Sequence, residues 1–209
     1  MNSRLPLMSA ILLMAGTSSA MAASSTDLTV TGTITPAACT PSLSNGGVID
    51  YGKVSAKDLN PTKPTFLGRV ALQLKVDCDA ATTFALNLAD NRPNTASSLG
   101  WYGLGLINTN QKLGYFDLGY TDANTEIGPK SVLGSYDGGK TWSNYEDTGF
   151  PTGEWAAFGD RSSGAWLPAP IQNLTVNMHI GTNIAPANGL TLTNQVRMDG
   201  SATLEVKYL

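Results

Sequence analysis

Strict alternation of apolar and polar residues predicts a β-strand near the start of the chain. From Leu28 to Ile34 the sequence reads L-T-V-T-G-T-I, which places Leu28, Val30, Gly32 and Ile34 on one face and three threonines on the other. Pro36 ends this strand, since proline cannot donate to a sheet ladder. The segment precedes both cysteines, so we expect an N-terminal extension that is free to leave its own domain.

The same alternation predicts several strands after Cys39. Four of them are strongly patterned: one carries Val70, Leu72, Leu74, Val76 and Cys78, the next carries Phe84, Leu86 and Leu88, a third carries Leu174, Val176, Met178 and Ile180, and the last carries Ala202, Leu204, Val206 and Tyr208. Weaker patterns predict short strands at Val48–Tyr51 and around Leu190 and Leu192. Together these segments predict an all-β fold.

The middle of the chain, roughly residues 89–168, lacks a clear period. It contains all four tryptophans and many glycines. We expect short hairpins here, including one over Leu113–Tyr120 and one turning at Asp137-Gly138-Gly139, with long loops that decorate one end of a sandwich.

The first 22 residues have the pattern of a secretory signal peptide. Arg4 precedes an apolar run from Leu5 to Ala15, and Ala20-Met21-Ala22 resembles a cleavage site. We therefore expect an exported protein that begins near Ala23. Its length suits one β-domain, preceded by an extension at residues 23–36 and spanning residues 37–209.

Charge and cysteine content narrow the function further. Only 14% of the residues are charged, the formal net charge is −3, and no basic stretch could follow a phosphate backbone, so nucleic acid is excluded as an expected partner. Cys39 and Cys78 are the only cysteines. In an exported protein a structural disulfide between them is the default expectation, over a metal site or a reactive thiol.

The sequence resembles the subunits of chaperone-usher pili. The resemblance rests on the export signal, the strand L-x-V-x-G-x-I just before P-A-A-C, a second cysteine in a strong strand, and a terminal amphipathic strand with the penultimate Tyr208. It covers roughly residues 28–88 and 174–209, and the whole is closest to long fimbrial-like members of unassigned role. It implies an incomplete immunoglobulin-like sandwich, completed by a donated strand, in a structural subunit of a cell-surface fimbria.

The resemblance also implies partners and site residues. Leu28, Val30, Gly32 and Ile34 would form the donor strand, with Gly32 at a position where the groove leaves no room for a side chain. A periplasmic chaperone, an outer-membrane usher and neighbouring subunits are the implied partners during export through the periplasm to the cell surface. The groove- and chaperone-facing residues would be Ala202, Leu204, Val206, Tyr208 and Leu209. Many relatives have a glycine where this chain has Val196, which leaves the register of the chaperone contact open.

Two alternatives follow from the same residues. The N-terminal strand could fold back and complete its own sandwich, because donor and acceptor strands obey one alternation rule. The protein could instead be an exported carbohydrate-binding domain, since aromatic faces suit sugar rings. The candidate ligand surface is Trp101, Tyr102, Trp142, Trp155 and Trp166.

We expect no enzyme, cofactor or metal. Ser135–Trp142 matches the Asp-box pattern S-x-D-x-G-x-T-W of sialidases, but a single box is better explained as a hairpin in which Asp137 binds the turn backbone and Trp142 packs. His179 is the only histidine, on the solvated face of its strand. The acidic residues Asp137, Glu146, Asp147 and Glu154 favour a solubility role over a weak cation site.

Overall fold

The computed structural model describes Thr29, Thr31, Gly32, residues 38–162 and residues 164–209. The chain divides into two compact units after Ile34, and the fold below is that of Thr35–Leu209. Its strands are β1 (Cys39–Leu43), β2 (Thr65–Thr82), β3 (Phe84–Asp90), β4 (Tyr102–Gly103), β5 (Leu106–Ile107), β6 (Gln111–Lys112), β7 (Gly114–Thr125), β8 (Gly128–Ser135), β9 (Ser143–Asn144), β10 (Trp155–Ser162), β11 (Ala165–Pro168), β12 (Ile171–Ile184) and β13 (Ala202–Tyr208).

Eight of these strands form one continuous antiparallel path in the order β1-β2-β12-β7-β8-β10-β3-β13. The β7–β8 hairpin links two halves of four strands each. Apolar side chains from both halves, such as Val76, Leu86 and Val176, meet in one buried cluster. The all-β class predicted from the sequence is therefore confirmed. Helical structure in the described residues consists of short 3-10 turns at Ser44–Gly47, Ala56–Asp58 and Ala187–Gly189, and none is long and apolar enough to cross a membrane.

The four strongly patterned strands are confirmed as β2, β3, β12 and β13. In β2 burial alternates from Leu72 to Cys78, with Leu74 and Val76 fully buried and the residues between them exposed. This is the expected result when one face of a strand packs on a core and the other meets water.

The predictions of short strands at Val48–Tyr51 and around Leu190 and Leu192 are wrong. Residues 48–51 have no strand structure, and Leu190 and Leu192 follow a 3-10 turn in an irregular segment. Both leucines are nevertheless half-buried against the core. Alternation reports which side chains face an apolar surface, and an irregular segment lying over such a surface shows it without ladder hydrogen bonds.

The middle of the chain contributes more than short hairpins and loops. It supplies β7, β8 and β10, three of the eight strands of the main path. In β10 the residues Ala156, Ala157, Phe158 and Gly159 are all buried. A strand covered on both faces loses its polar alternation, so the sequence pattern did not predict it.

Candidate functional site: an apolar groove between the end strands

The two end strands of the path, β1 and β13, flank an unpaired seam. β1 pairs with β2, and β13 pairs with β3. No residue within the described ranges pairs with the outer edge of either strand. An exposed strand edge carries unpaired N–H and C=O groups, and is therefore a template for another strand.

The seam is narrow and covalently supported at one end. Cys39 and Cys78 lie opposite each other in the β1–β2 ladder and form a disulfide, so this prediction is confirmed. The backbone N–H of Cys39 donates to the Tyr208 hydroxyl at 2.8 Å. This hydrogen bond spans the seam from β1 to β13 beside the disulfide.

Away from the disulfide, the seam widens into an apolar groove of about 870 Å³. Neither end strand extends into this region, because β1 ends at Leu43 and β13 begins only at Ala202. The neighbouring strands β2 and β12 extend further. The floor of the groove consists of core residues from β2, β3, β7, β12 and the β4–β7 region, among them Leu72, Leu88, Leu104, Phe116, Met178, Ile180 and Ile184.

Two irregular segments form the walls of the groove. One connects β1 to β2 and contributes Ile49 and Leu59, and the other runs from residue 190 to 201 and contributes Leu192, Val196 and Met198. These five side chains are partly buried against the core cluster. The strand predicted around Leu190 and Leu192 falls at the start of the 190–201 wall, and both leucines pack on the apolar surface beneath it.

Backbone and ionic contacts hold the walls in place. The N–H groups of Ala187 and Asn188, in the turn that precedes the 190–201 wall, donate to the carbonyls of Asn60 and Pro61 in the other wall. Arg92 binds Asp199 at 2.9 Å. The hydrogen bond from Arg92 lowers the pKa of the Asp199 carboxyl below its usual range. The 190–201 wall is therefore fixed at both ends.

The residues of the last strand that were predicted to face the groove do not all lie in the same place. Ala202 and Leu204 line the groove, and Val206 is partly buried against the core. Tyr208 spans the seam through its hydroxyl. Leu209 differs from the expectation: its side chain lies beside Gly139 and Trp155, on the outer face of the sheet, because it is one residue out of phase with the inward positions.

The predicted donor strand falls largely outside the described residues. Leu28, Val30 and Ile34 are not described, and Gly32 is. Their role as a donated strand stays a prediction.

Tyr102, which was predicted to belong to the candidate ligand surface, does not lie at the surface. Tyr102 is fully buried, and its ring stacks on Phe116 with centroids 5.0 Å apart. Burial raises the pKa of its hydroxyl well above the usual range. Tyr102 is therefore a core residue and cannot contact a ligand at the surface. Trp101 is half-buried and stacks on Tyr115.

The other three tryptophans form a second layer outside the sheet. Trp142, Trp155 and Trp166 are partly buried over the small floor of Ala85, Leu133 and Ala157, each of which is fully buried. These three side chains pack against the sheet, which is more common for tryptophan than binding a sugar. A ligand surface here stays a prediction.

The Asp-box segment forms the expected hairpin. Asp137 accepts hydrogen bonds from the N–H groups of Lys140 and Thr141 and from the hydroxyls of Ser135 and Thr141. These bonds, first of all that from the Thr141 hydroxyl, lower the pKa of Asp137 well below its usual range. Trp142 packs within the second layer, over Ala85, Leu133 and Ala157. Both parts of the structural interpretation are thus confirmed.

The remaining polar candidates do not assemble into a site. His179 lies opposite the buried face of β12, half-buried, with its ring Nε2 2.8 Å from the Thr121 hydroxyl. Glu146 accepts the Val132 N–H, and Glu154 is half-buried beside the second layer. In the part of the chain that the structure describes, no three or more His, Cys, Asp or Glu residues are grouped as metal ligands.

Comparison with known proteins relates the chain to bacterial proteins of unassigned role. Residues 28–131 match a family described as "Protein of unknown function (DUF1120)". The chain is 46% identical to Protein GltF of Escherichia coli (strain K12) over an alignment of 87 positions, which covers 39% of this chain and 34% of GltF. It is 27% identical to the uncharacterized protein YhcF of the same strain over an alignment of 235 positions, which covers 95% of this chain and 98% of YhcF.

The chain thus spans about a third of the length of GltF and nearly all of YhcF. None of the three descriptions names a fimbria or an activity. The chain is similar to the DUF1120 proteins from residue 28 to residue 131, a range that includes the predicted donor strand, β1 to β7 and the first half of β8.

Proposed function

We propose that the protein is a structural subunit of a cell-surface fimbria or pilus that assembles by donor-strand exchange. The observation that carries the proposal is the apolar groove between β1 and β13, a volume of about 870 Å³ lined by core residues such as Leu72 and Ile180. A groove of this kind leaves space above the core side chains unfilled, so an apolar strand that occupies it would add buried contacts and stabilise the fold.

The fold supports the proposal at a finer level. The two four-stranded halves pack around one core, and the outer edges of the end strands β1 and β13 have no partner strand in the described residues. This arrangement fits an immunoglobulin-like sandwich that lacks one strand. The missing strand would lie between β1 and β13. We propose that the pilin fold, rather than a closed barrel, is the correct description.

The proposed occupant of the groove is the segment Leu28–Ile34 of a neighbouring copy. Its four inward positions, Leu28, Val30, Gly32 and Ile34, match in number the four inward positions of β13, and both sets alternate with polar residues. Burying the three large side chains contributes about 1.5–3 kcal/mol each, or about 4.5–9 kcal/mol together. That rivals the roughly 5–15 kcal/mol by which whole domains are stable.

A subunit with an empty groove needs protection before assembly. Its exposed edge and apolar floor would pair with other chains. A periplasmic chaperone that inserts its own strand would protect it, and an outer-membrane usher would then guide the exchange. The cell-surface location follows from the proposed signal peptide and from this assembly route.

The first test compares the chain from Ala23 with the same chain lacking Thr26–Thr35. Strand exchange predicts ladders of oligomers that survive detergent without boiling, and these ladders should be absent from the shortened chain. A full-length protein that remains a stable monomer without a chaperone contradicts the proposal.

A further inference from the structure

A row of aromatic side chains crosses the outer face of the sheet formed by β2, β12 and β7. Phe66 of β2 and Tyr115 of β7 are both register partners of Asn183 of β12, so the three residues lie side by side. The neighbours of Asn183 on its own strand, Thr182 and Ile184, are buried on the inner face. Because successive side chains of a strand point to opposite faces, the row lies on the outer face. Phe66 is 55% exposed there, and Tyr115 is half-buried.

Trp101, which precedes β4, extends the row past Tyr115. The two rings stack with centroids 6.5 Å apart and an angle of 22° between their planes. A Cβ at Gly149 would come within 2.9 Å of the Trp101 ring, so the backbone at Gly149 supports this ring closely. Phe66 and Tyr115 lie two strands apart, which separates their backbones by roughly 10 Å. Trp101 was already a candidate ligand residue, whereas Phe66 and Tyr115 were not.

An ion pair lies in the next row of the same face. Arg69 and Asp117 are the register partners of Gly181, and their side chains bind each other at 3.2 Å. A Cβ at position 181 would lie 2.9 Å from both carboxylate oxygens of Asp117. The absence of a side chain at Gly181 therefore lets the carboxylate lie directly over the sheet beside the aromatic row. Since the two charges neutralise each other, this pair makes the face polar without adding net charge.

Two polar groups of the aromatic row have hydrogen-bonding capacity to spare. The Asn183 amide and the Tyr115 hydroxyl make no hydrogen bond to the described residues. By contrast, the amide of Asn177, on the same face of β12, donates to the Asp122 carboxylate at 3.0 Å. Exposed rings interleaved with available donors and acceptors suit a sugar, because its C–H face stacks on an aromatic ring while its hydroxyls bind polar side chains.

We propose that this face binds a neutral, linear oligosaccharide. One sugar ring stacks on Phe66 and another on Tyr115 beside Trp101. The hydroxyls between them bind Asn183 and Asp117. A neutral ligand fits because the charge of Asp117 is already balanced within the protein. An apolar peptide would leave the amide and the carboxylate without partners, which costs free energy. The site lies on the opposite face of the sheet from the groove and does not rest on the proposed function.

Isothermal titration calorimetry of the chain that begins at Ala23 tests the proposal. The probes are cellohexaose and chitohexaose, which are neutral and linear, and hexamannuronate, which is linear but carries a carboxylate on each ring. At least one neutral probe should bind, and hexamannuronate should bind at least about tenfold more weakly, because its carboxylates would lose water without gaining a cationic partner. Absence of binding to both neutral probes overturns the proposal. Hexamannuronate that binds as tightly as the neutral probes also overturns it.

Substitutions inside and outside the row distinguish a defined site from unspecific adhesion. Phe66→Ala and Tyr115→Ala should each weaken binding of the neutral probe at least about tenfold, since each removes a ring on which a sugar stacks. Tyr136→Ala is the matched control, because Tyr136 is a 71% exposed aromatic residue outside the row. Its affinity should equal that of the parent chain. Unchanged affinity of Phe66→Ala, or an equal loss in Tyr136→Ala, overturns the proposal.

Melting temperatures of the same variants separate loss of the site from loss of the fold. The Phe66 ring is largely exposed, so Phe66→Ala should keep the melting temperature of the parent chain. Tyr115→Ala also removes packing against Trp101 and is therefore paired with Tyr115→Phe, which keeps the ring. Tyr115→Phe should retain most of the affinity that Tyr115→Ala loses. Loss of binding that is confined to variants with a lowered melting temperature overturns the proposal.

Discussion

At the scale of single residues, Asp137 shows how one side chain shapes a loop. Its carboxylate accepts two backbone N–H groups and two hydroxyls within the hairpin of residues 135–144. The hairpin in turn places Trp142 in the second layer, the tryptophan layer outside the sheet. The sequence pattern alone was enough to predict this, because the donors and the acceptor lie within seven residues of each other.

The lowered pKa of Asp137 leads to a pH-dependent prediction. A carboxyl whose pKa is lower in the folded chain stabilises the fold fully above its unfolded pKa of about 3.9, and this stabilisation is lost as the pH falls through the folded value. Asp137→Asn should therefore lower the melting temperature at pH 7 and show a smaller difference from the parent chain at the lowest pH at which both remain folded.

Thermal unfolding across this pH range, followed by circular dichroism, provides the measurement. Asp58→Asn is a suitable control, since Asp58 is exposed and its carboxylate makes no side-chain hydrogen bond to the described residues. Equal effects of the two substitutions at pH 7 would show that the hairpin bonds do not stabilise the fold.

At the scale of elements, strands with one solvated face, such as β2, were predictable, whereas β10 was not. β2 and β12 alternate because one face meets water. β10 is buried on both faces, since Phe158 points to the main core and Ala157 lies under the tryptophan layer. The strand predicted around Leu190 and Leu192 failed for the opposite reason: these two half-buried leucines flank the exposed Thr191 but lie in no strand.

The close pairing of β10 with β11 gives a prediction at the same scale. Gly159 faces Pro168 in this ladder, and a Cβ at position 159 would overlap the Leu167 carbonyl oxygen. Gly159→Ala should destabilise the fold by about 1–3 kcal/mol, as overpacking typically does. Movement of β11 should also expose Trp166, seen as a red shift of tryptophan fluorescence.

Gly189→Ala serves as the matched control for this prediction. Gly189 lies in a 3-10 turn without a positive φ, and no atom lies within 4 Å of an added Cβ. Urea denaturation of the two variants measures the difference in the free energy of unfolding. A Gly159→Ala protein as stable as Gly189→Ala would contradict the close approach of the two strands.

At the scale of the whole molecule, the defining feature is a sheet path whose two ends do not meet. The Cys39–Cys78 disulfide and the Tyr208 hydroxyl hold β1 and β13 near each other at one end. At the other end the strands stop and core residues line an accessible groove. Closing a 39-residue loop with the disulfide stabilises this arrangement by about 4 kcal/mol on the chain-entropy account.

The sequence predicted β13 and the disulfide beside the groove, but it predicted neither β1 nor the groove walls. Alternation identifies Leu204 and Val206 as inward residues of a terminal strand, whatever their neighbours are. The wall residues Ile49 and Met198 lie in irregular segments, and the position of the 190–201 wall depends on long-range contacts such as the Arg92–Asp199 ion pair. Local pattern carries no information on such contacts.

Whether one copy completes another is tested most directly by mixing two complementary variants. The donor copy begins at Ala23 and carries Leu204→Asp, which places an unpaired carboxylate in its own groove. The acceptor copy lacks residues 23–36 and keeps an intact groove. A donor copy with Thr203→Asp, on the exposed face of β13, controls for the added charge.

Native mass spectrometry of the mixture is the decisive measurement. Strand exchange predicts a 1:1 complex of donor and acceptor copies, no larger oligomer of either copy alone, and loss of the complex when the donor also carries Val30→Asp. Two species that remain monomeric after mixing, or a complex that survives Val30→Asp, would contradict the account.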